Sequence, residues 1–486
     1  MDEIERKRRF RLGEIEKTGE NGEASVFGYV ISVRAVGKNK IFMVIRQGEE
    51  TAQVIVARGE AREAAARTEG SSETVTGRVY TPSDIDQIKN IAVESYVRVD
   101  GEVVATRNEI ASCSIKKREI VLKRIEIVTE AEELPFQVKD ANWKHSEREN
   151  SSALPSVAYS RRLDYRGLDL RSEETRSIFR VYSTVLGMFR EFLTSRGYLE
   201  IKTPKILGGS SEGGAEVFHV QYFKDKGTLA QSPQLYKQMA IIGGLESVYE
   251  IGPCFRAENS NTGRHLTEFT GMDMERELYD ETYLDLVKEI YEMLKYVING
   301  VQERNKRDLE IIKAITNSAV QTEVPDAPVI ITFREGIDLL RESGRMCSYT
   351  EDIGTEDEKA LGEIVKKRFN TDLFAVVEYP KSARPFYTSL CKTDREYTQS
   401  FDFILKGEEI LSGAERVHRK EELVERLREK GVGLESVQDY VNAFSYGVPR
   451  HGGCGIGLER VVKLVTEAGD IHKCSMFPRD PGRLRP

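Results

Sequence analysis

At 486 residues, 39% hydrophobic and 31% charged, the chain has the composition of an ordinary globular protein and the length of about two to four domains. Its 72 basic and 80 acidic residues leave a net charge of −8, which excludes a global basic field, so a nucleic-acid partner would have to meet a local patch. No run approaches the roughly 18–20 apolar residues of a membrane-spanning helix. The six cysteines contain no C-x-x-C pair, which points to reduced thiols in a cytosolic setting and away from structural zinc.

The N-terminus, MDEIERKRRFR, is basic from Arg6 to Arg11, but Asp2, Glu3 and Glu5 fit neither an organellar nor a secretory leader. Residues 1–23 read as a short basic extension, either a phosphate contact or a solvated terminus. From Ala24 to about 130 the pattern is β-rich. VFGYVISVRAVG, KIFMVIRQ, AQVIVA, YVRVDGEVVAT and EIVLKRIEIV are separated by turn-forming segments, with one helical stretch from Glu60 to Arg67. This suits a small Greek-key barrel of the OB type, a fold that often stacks single-stranded bases on aromatics. Phe42, Arg46, Gln47 and Gln53 supply the residue types for such a face, although Phe42 could equally be core.

Residues 131–160 read as a linker without helical period, and 161–486 as a second domain. Ile178, Tyr182, Val185, Phe189 and Phe192 recur at spacings of three and four, which predicts one apolar helical stripe between Glu173 and Arg196. YLEIKTPKIL follows as a strand entering Pro204. The glycine-rich segment GGSSEGGAEVF (208–218) lacks the Gly-Lys-Ser/Thr of a P-loop and reads as a flap or a plain surface loop. QSPQLYKQMAI opens a helix that places Gln234 and Lys237 on one face.

Ser247 to Glu277 predicts a hairpin. Alternation puts Arg256 and Glu258 on one side of its first arm, and Phe269, Asp273 and Glu275 on one side of its second. Helices are expected at 281–304, 356–369 and 421–430, a polar connection at 316–331, and strands at 373–380 and 395–418. Asp402 and Glu409 are candidate metal carboxylates, with Ser412 a small hydroxyl and Arg416 a fixed cation. PRHGGCGIGLERVVKLV runs from a glycine-rich strand into a helix, with Arg460 in its first turn, where free N–H groups favour an anion.

The segments FRAENSNTGRHLTEF, SFDFILKGEEILSGAER and GIGLER, in that order after the helix and strand ending at Pro204, resemble the class II aminoacyl-tRNA synthetases. Within that class they resemble the aspartyl family of the archaeal and eukaryotic cytosolic type. The resemblance implies an α+β chain: an OB-fold barrel, then a catalytic domain with an antiparallel sheet flanked by helices. It implies a cytoplasmic homodimer built through the Pro204 segment, with ATP, Mg²⁺, L-aspartate and the tRNA for aspartate as substrates and cofactor. Arg256 and Arg460 would be catalytic, with Glu258, His265, Phe269 and Glu409 completing the ATP site. Phe269 and Arg460 would sandwich the adenine. Asp402, Glu409 and Ser412 would hold the metal. Ser211, Glu212, Gln234, Lys237, Asp273 and Arg416 would bind aspartate, with Lys237 and Arg416 on its side-chain carboxylate. In the barrel, Phe42, Gln53 and Glu119 become anticodon contacts, with Arg46 and Gln47 beside them. Glu415 and Gly263 depart from the family's usual residues, and Glu415 would set a carboxylate beside Arg416. An asparaginyl enzyme and a catalytically silent RNA-binding paralogue are the alternatives.

Overall fold

The computed structural model describes residues 11–17, 22–57, 78–151, 154–208, 216–318 and 321–486. Contacts divide the chain into two compact units, Met1–Phe136 and Gln137–Pro486. The helix expected from Glu60 to Arg67, the candidates Ser211 and Glu212, and most of the basic N-terminal cluster lie outside the described residues.

The first unit carries strands β1 (Gly22–Val36), β2 (Lys40–Gln47), β3 (Glu50–Ala57), β4 (Arg78–Tyr80), β5 (Tyr96–Ala105) and β6 (Arg118–Thr129). Their order is β3-β2-β1-β5-β6-β4, and a β3–β6 pairing closes the sheet into a barrel. Alternation sets the two faces. Ile41, Met43 and Ile45 of β2 and Ala52, Val54 and Val56 of β3 fill the interior, whereas Phe42 and Gln53 point outwards. Leu12 and Ile15, on a single 3-10 segment (Leu12–Lys17), are fully buried in this core. The barrel therefore recruits part of the segment read from sequence as an extension. The spacing of two apolar residues in six is too short to announce a helix, which is why that role was illegible.

The second unit carries β7 (Leu199–Glu200), β8 (Ile206–Leu207), β9 (His219–Tyr222), β10 (Asp225–Leu229), β11 (Ser247–Phe255), β12 (Glu268–Glu277), β13 (Val329–Thr332), β14 (Leu373–Val377), β15 (Ser400–Leu405), β16 (Glu408–Glu415) and β17 (His451–Gly457). Eight of these form one sheet in the order β13-β14-β15-β16-β17-β12-β11-β7. It is antiparallel through its centre and parallel only at the two outermost pairs, β13–β14 and β11–β7. The helices Glu173–Ser195 and Tyr283–Arg304 cover one face and bury it in the main core. In β15, Phe401, Phe403 and Leu405 enter that core, so alternation sends Asp402 to the other face.

Three expectations change. The 131–160 stretch holds the short helices Val138–Ala141, His145–Asn150 and Tyr159–Asp164, each of one or two turns and too brief to show a helical period. The strand expected before Pro204 shrinks to two-residue pieces on either side, because proline offers no N–H to a ladder. The 316–331 connection ends in β13, and the helices Lys306–Thr316 and Phe333–Glu342 flank it.

Candidate active site

The face of the sheet opposite the main core carries a cavity of about 270 Å³, lined by β12, β16 and β17, the 256–267 loop and the start of the Leu458–Thr466 helix. Glycine makes this floor possible. A Cβ on Gly453 would fall 2.1 Å from the Met274 carbonyl and 2.3 Å from Glu275 Oε2, and one on Gly455 would fall 3.0 Å from Asp273 Oδ1. A bare backbone at these positions lets the carboxylates of β12 lie across β17.

One end of the cavity is a buried box of four charges. Lys237 Nζ lies 3.0 Å from Asp273 Oδ1 and 3.5 Å from Glu275 Oε2, and also donates to the Cys454 carbonyl at 2.8 Å. Arg416 holds Glu275 as a fork, with Nε to Oε1 at 2.9 Å and Nη2 to Oε2 at 3.1 Å, and Nη2 reaches Gln234 Oε1 at 3.4 Å. Burial alone would raise the Glu275 carboxyl, but Arg416 and Lys237 outweigh it and hold it below the ordinary glutamate value. The two cations are thus already neutralised by two carboxylates. This alters the charge argument for substrate choice, in which an uncharged side chain would leave Lys237 and Arg416 uncompensated. The family resemblance assigns Glu275 no role. Its place two residues beyond Asp273 on one strand face was the available signal. Glu415, the departure suspected of weakening Arg416, turns the other way, and its Oε1 is taken by Arg450 at 2.9 and 3.1 Å. Alternation along β16 separates positions 415 and 416.

The other end gathers the remaining candidates. Arg256, Glu258, His265, Phe269, Glu409 and Arg460 all line the cavity. The guanidinium over the Phe269 ring is that of Arg256, 5.4 Å from the centroid. Arg460 instead donates to the Glu409 carbonyl at 2.7 Å. His265 Nδ1 sits 2.7 Å from Thr262 Oγ1 and 3.2 Å from Ser260 Oγ. Burial and the surrounding Arg460, Arg264 and Arg256 lower its pKa despite Glu258. It therefore offers a neutral N–H donor at neutral pH, not a charge. Arg264 also lines the cavity, bridging Glu358 at 2.9 Å and Glu408 at 3.3 Å. Glu459, next to Arg460, is a staple: it accepts the Thr270 N–H at 3.0 Å, and burial pushes its carboxyl up to about 7.

Asp402 and Ser412 meet through a residue that no sequence pattern singled out. Arg384 Nη2 lies 2.6 Å from Asp402 Oδ2, its Nη1 lies 2.9 Å from Ser412 Oγ, and its plane stacks on Tyr379 at 3.8 Å. Asp402 Oδ1 is buried without a hydrogen-bond partner. Burial first, and then the Asp402 charge, push the Glu409 carboxyl up to about 7. Two hard carboxylates, one of them pushed up by burial and its neighbour's charge and the other with an orphaned oxygen, fit a divalent cation. Among the described residues no three His, Cys, Asp or Glu side chains converge to hold a metal alone.

On the barrel, Phe42 is half-buried and outside the core, with Arg34 and Lys40 5.6 and 5.5 Å from its ring centroid. Gln53 donates to Glu119 at 2.7 Å across the β3–β6 pairing, and Val44 of β2 faces Gln53 in register. Phe42, Gln53 and Glu119 therefore share one outer face. Arg46 and Gln47 do not extend it as free contacts. Arg46 is buried against Glu94 at 2.8 Å, and Gln47 is spent on the Leu12 N–H at 2.7 Å and the Phe27 carbonyl at 2.9 Å. Pro204 is exposed beside β7, the edge of the large sheet.

Residues 158–481 match the family model described as tRNA synthetases class II (D, K and N). A Caenorhabditis elegans protein named as a cytoplasmic aspartate–tRNA ligase is 39% identical over 486 residues, covering 98% of this chain and 87% of that protein. Among solved structures, the aspartyl-tRNA synthetase of Entamoeba histolytica aligns with a TM-score of 0.85 and 34% identity, over 99% of this chain and 94% of that one. The asparaginyl-tRNA synthetase of Pyrococcus horikoshii, solved with asparaginyl-adenylate, aligns at 0.79 and 28%, over 96% and 97%.

Proposed function

We infer that this chain, which belongs to the class II tRNA synthetases (D, K and N), is a cytoplasmic aspartate–tRNA ligase that joins L-aspartate to its tRNA at the expense of ATP. The observation that carries the reading is that one cavity joins Asp273 and Arg416, the two members of the four-charge cluster that line it, to Arg256, Arg264 and Arg460.

In the first step an aspartate α-carboxylate oxygen attacks the α-phosphorus of ATP. An acyl–phosphate bond forms and the bond to the β-phosphate breaks, releasing pyrophosphate. Arg256 would meet the α-phosphate and the attacking carboxylate. Arg460 would meet the outer phosphates, His265 adding a neutral N–H. Preorganised donors aimed at the developing charge supply most of such a rate enhancement. Phe269 offers a face for the adenine, and Glu258 an acceptor for its amino group. Asp402, Glu409 and Ser412 would hold Mg²⁺, which when bound neutralises phosphate charge. Arg384, which now spans Asp402 and Ser412, keeps those two side chains in register.

Aspartate would enter the four-charge box by exchange. Its α-ammonium group replaces Lys237 as the partner of Asp273, and the family resemblance adds Gln234, Ser211 and Glu212 as further partners of that group. Its side-chain carboxylate then takes the released Lys237 together with Arg416. Asparagine offers an ammonium group but no second carboxylate, so Lys237 and Arg416 would be left to share Glu275 alone, two buried cations on one carboxylate, a costly state. In the second step the 3′-hydroxyl of the terminal adenosine attacks the activated carbonyl, AMP leaves, and no side chain serves as nucleophile. The outer barrel face of Phe42, Gln53 and Glu119 would read the anticodon by stacking and edge contacts. A homodimer would form along the Pro204 segment between β7 and β8, where Leu199 and Ile206 are half exposed.

The test is aspartate-dependent ATP–pyrophosphate exchange without tRNA, beside an asparagine control. Exchange with aspartate alone is expected. Exchange with asparagine overturns the substrate, and none with either, from folded protein, favours the silent paralogue.

A further inference from the structure

The C-terminal segment from 469 to 483 forms a rest for the loop that carries the nucleotide-end residues. Ile471 and Leu266 both line the cavity. The Ile471 N–H donates to the Gly263 carbonyl at 3.0 Å, and the Thr267 N–H donates to the Arg479 carbonyl at 2.9 Å. Glu268 forms a bridge with Arg479. The middle and the end of the 256–267 loop thus lean on the same segment. That segment has little regular structure of its own, with a single 3-10 turn at Ile471–Cys474.

One side chain ties its beginning to its end. His472, 8% exposed, lies with Nδ1 2.6 Å from Asp470 Oδ1 and Nε2 3.2 Å from Asp480 Oδ2. Each carboxylate also fastens local backbone: Asp470 Oδ1 accepts the His472 N–H at 3.0 Å, and Asp480 Oδ1 accepts the Gly482 N–H at 2.7 Å. The neighbouring cation, Lys473, is turned to Glu174 at 2.8 Å. Nδ1 bonds Asp470, whereas Nε2 makes no hydrogen bond, so the tie to Asp480 is the charge of the imidazolium and is present only while His472 is protonated.

We propose that His472 is a positioning residue for the nucleotide subsite: clamped between Asp470 and Asp480, it fixes the C-terminal segment against which the 256–267 loop is held. This rests on reading the cavity as an ATP site. Burial pulls the His472 pKa down, but the hydrogen bond and charge of Asp470, with Asp480, hold it above the ordinary histidine value. The charged groups that face it are these two aspartates and, through Asp470, Lys473. A raised pKa means that the clamp's contribution is complete below a pH of about 6.5 and is lost as pH rises through the raised value.

The test compares wild type with His472→Gln and with His472→Arg, which keeps a cation between the aspartates. His472→Gln is expected to raise KM for ATP by about tenfold while KM for aspartate stays within about twofold, since displaced positioning groups act on the subsite they hold. Hydrogen exchange at the Ile471 and Thr267 amides should accelerate in His472→Gln, and wild type should approach that variant as pH is raised to about 9. His472→Arg should hold both amides at every pH. Unchanged ATP affinity and unchanged exchange at those amides would overturn the proposal, as would an equal rise in KM for both substrates. If His472→Gln does not fold, Asp480→Asn carries the same readouts. Hydrogen exchange needs no turnover, so an inactive wild type would sink the enzymatic reading and still leave the clamp open to disproof.

Discussion

The two ends of the cavity follow opposite electrostatic plans. At the aspartate end Lys237, Arg416, Asp273 and Glu275 sum to zero, and each has a counter-charge within 3.5 Å. At the end proposed for the phosphates, burial and the Asp402 charge hold the Glu409 carboxyl up, and one oxygen of Asp402 has no partner. The first end is complete as folded. The second becomes complete only when positive charge arrives. A site that must choose between near-identical amino acids gains from fixed partners, whereas one that handles a polyphosphate can leave part of its neutralisation to ions that travel with the nucleotide.

Removing one charge from each end should break this contrast most sharply. Arg416→Ala leaves Glu275 buried without its two guanidinium bonds and with only Lys237 at 3.5 Å, and should cost about 3–5 kcal/mol of stability as well as nearly all aspartate activation; urea unfolding and pyrophosphate exchange measure the two. Glu409→Gln should lower adenylate formation by about 10²–10³-fold, yet leave stability unchanged or slightly raised, because it removes a carboxylate that its surroundings disfavour. A large loss of stability in that variant would refute the poised-carboxylate account. Phe42→Ala touches neither end. It should raise KM for tRNA by about tenfold, the loss of one stacked base, and leave tRNA-independent exchange intact. Equal loss of both activities would reveal a folding defect instead.

The smallest effect is in the pH dependence of stability. Glu275 has a lowered pKa, so its contribution is present above about pH 4.3 and is lost as pH falls through its folded value. Glu409 and Glu459, both pushed up to about 7, behave oppositely: their contribution is complete below about pH 4.3 and is lost as pH rises through 7. Melting temperatures should therefore lose this contribution modestly between about pH 4.3 and 7 and level off above 7, and Glu409→Gln should flatten part of that loss.

Much of this was legible in the sequence because it is local and periodic. The period-2 pattern around Asp273 assigned a face that the strand keeps, and the stripe from Ile178 to Phe192 lies on the main core. What stayed hidden depends on partners distant in sequence. Arg384 sits between strands with no period to mark it, and its meaning comes from Asp402 and Ser412 across the sheet. Arg46 and Gln47 had the right chemistry for a binding face, but Glu94, Leu12 and Phe27 had already engaged them. Residue type shows what a side chain can do, and only the packing shows whether it is free to do it.

The absent side chain at Gly453 bears on how such a pocket can change over generations. Glu275 leans over that bare backbone, and Arg416 in turn donates to the Gly453 carbonyl at 2.9 Å. A mutation at 453 collides with Glu275, and a mutation at 275 strands Arg416, so neither step alone is passable. Drift should therefore accumulate on the outer barrel face and around Glu415, while the amino-acid pocket changes only through coordinated replacements, and a selection for altered specificity should recover them together.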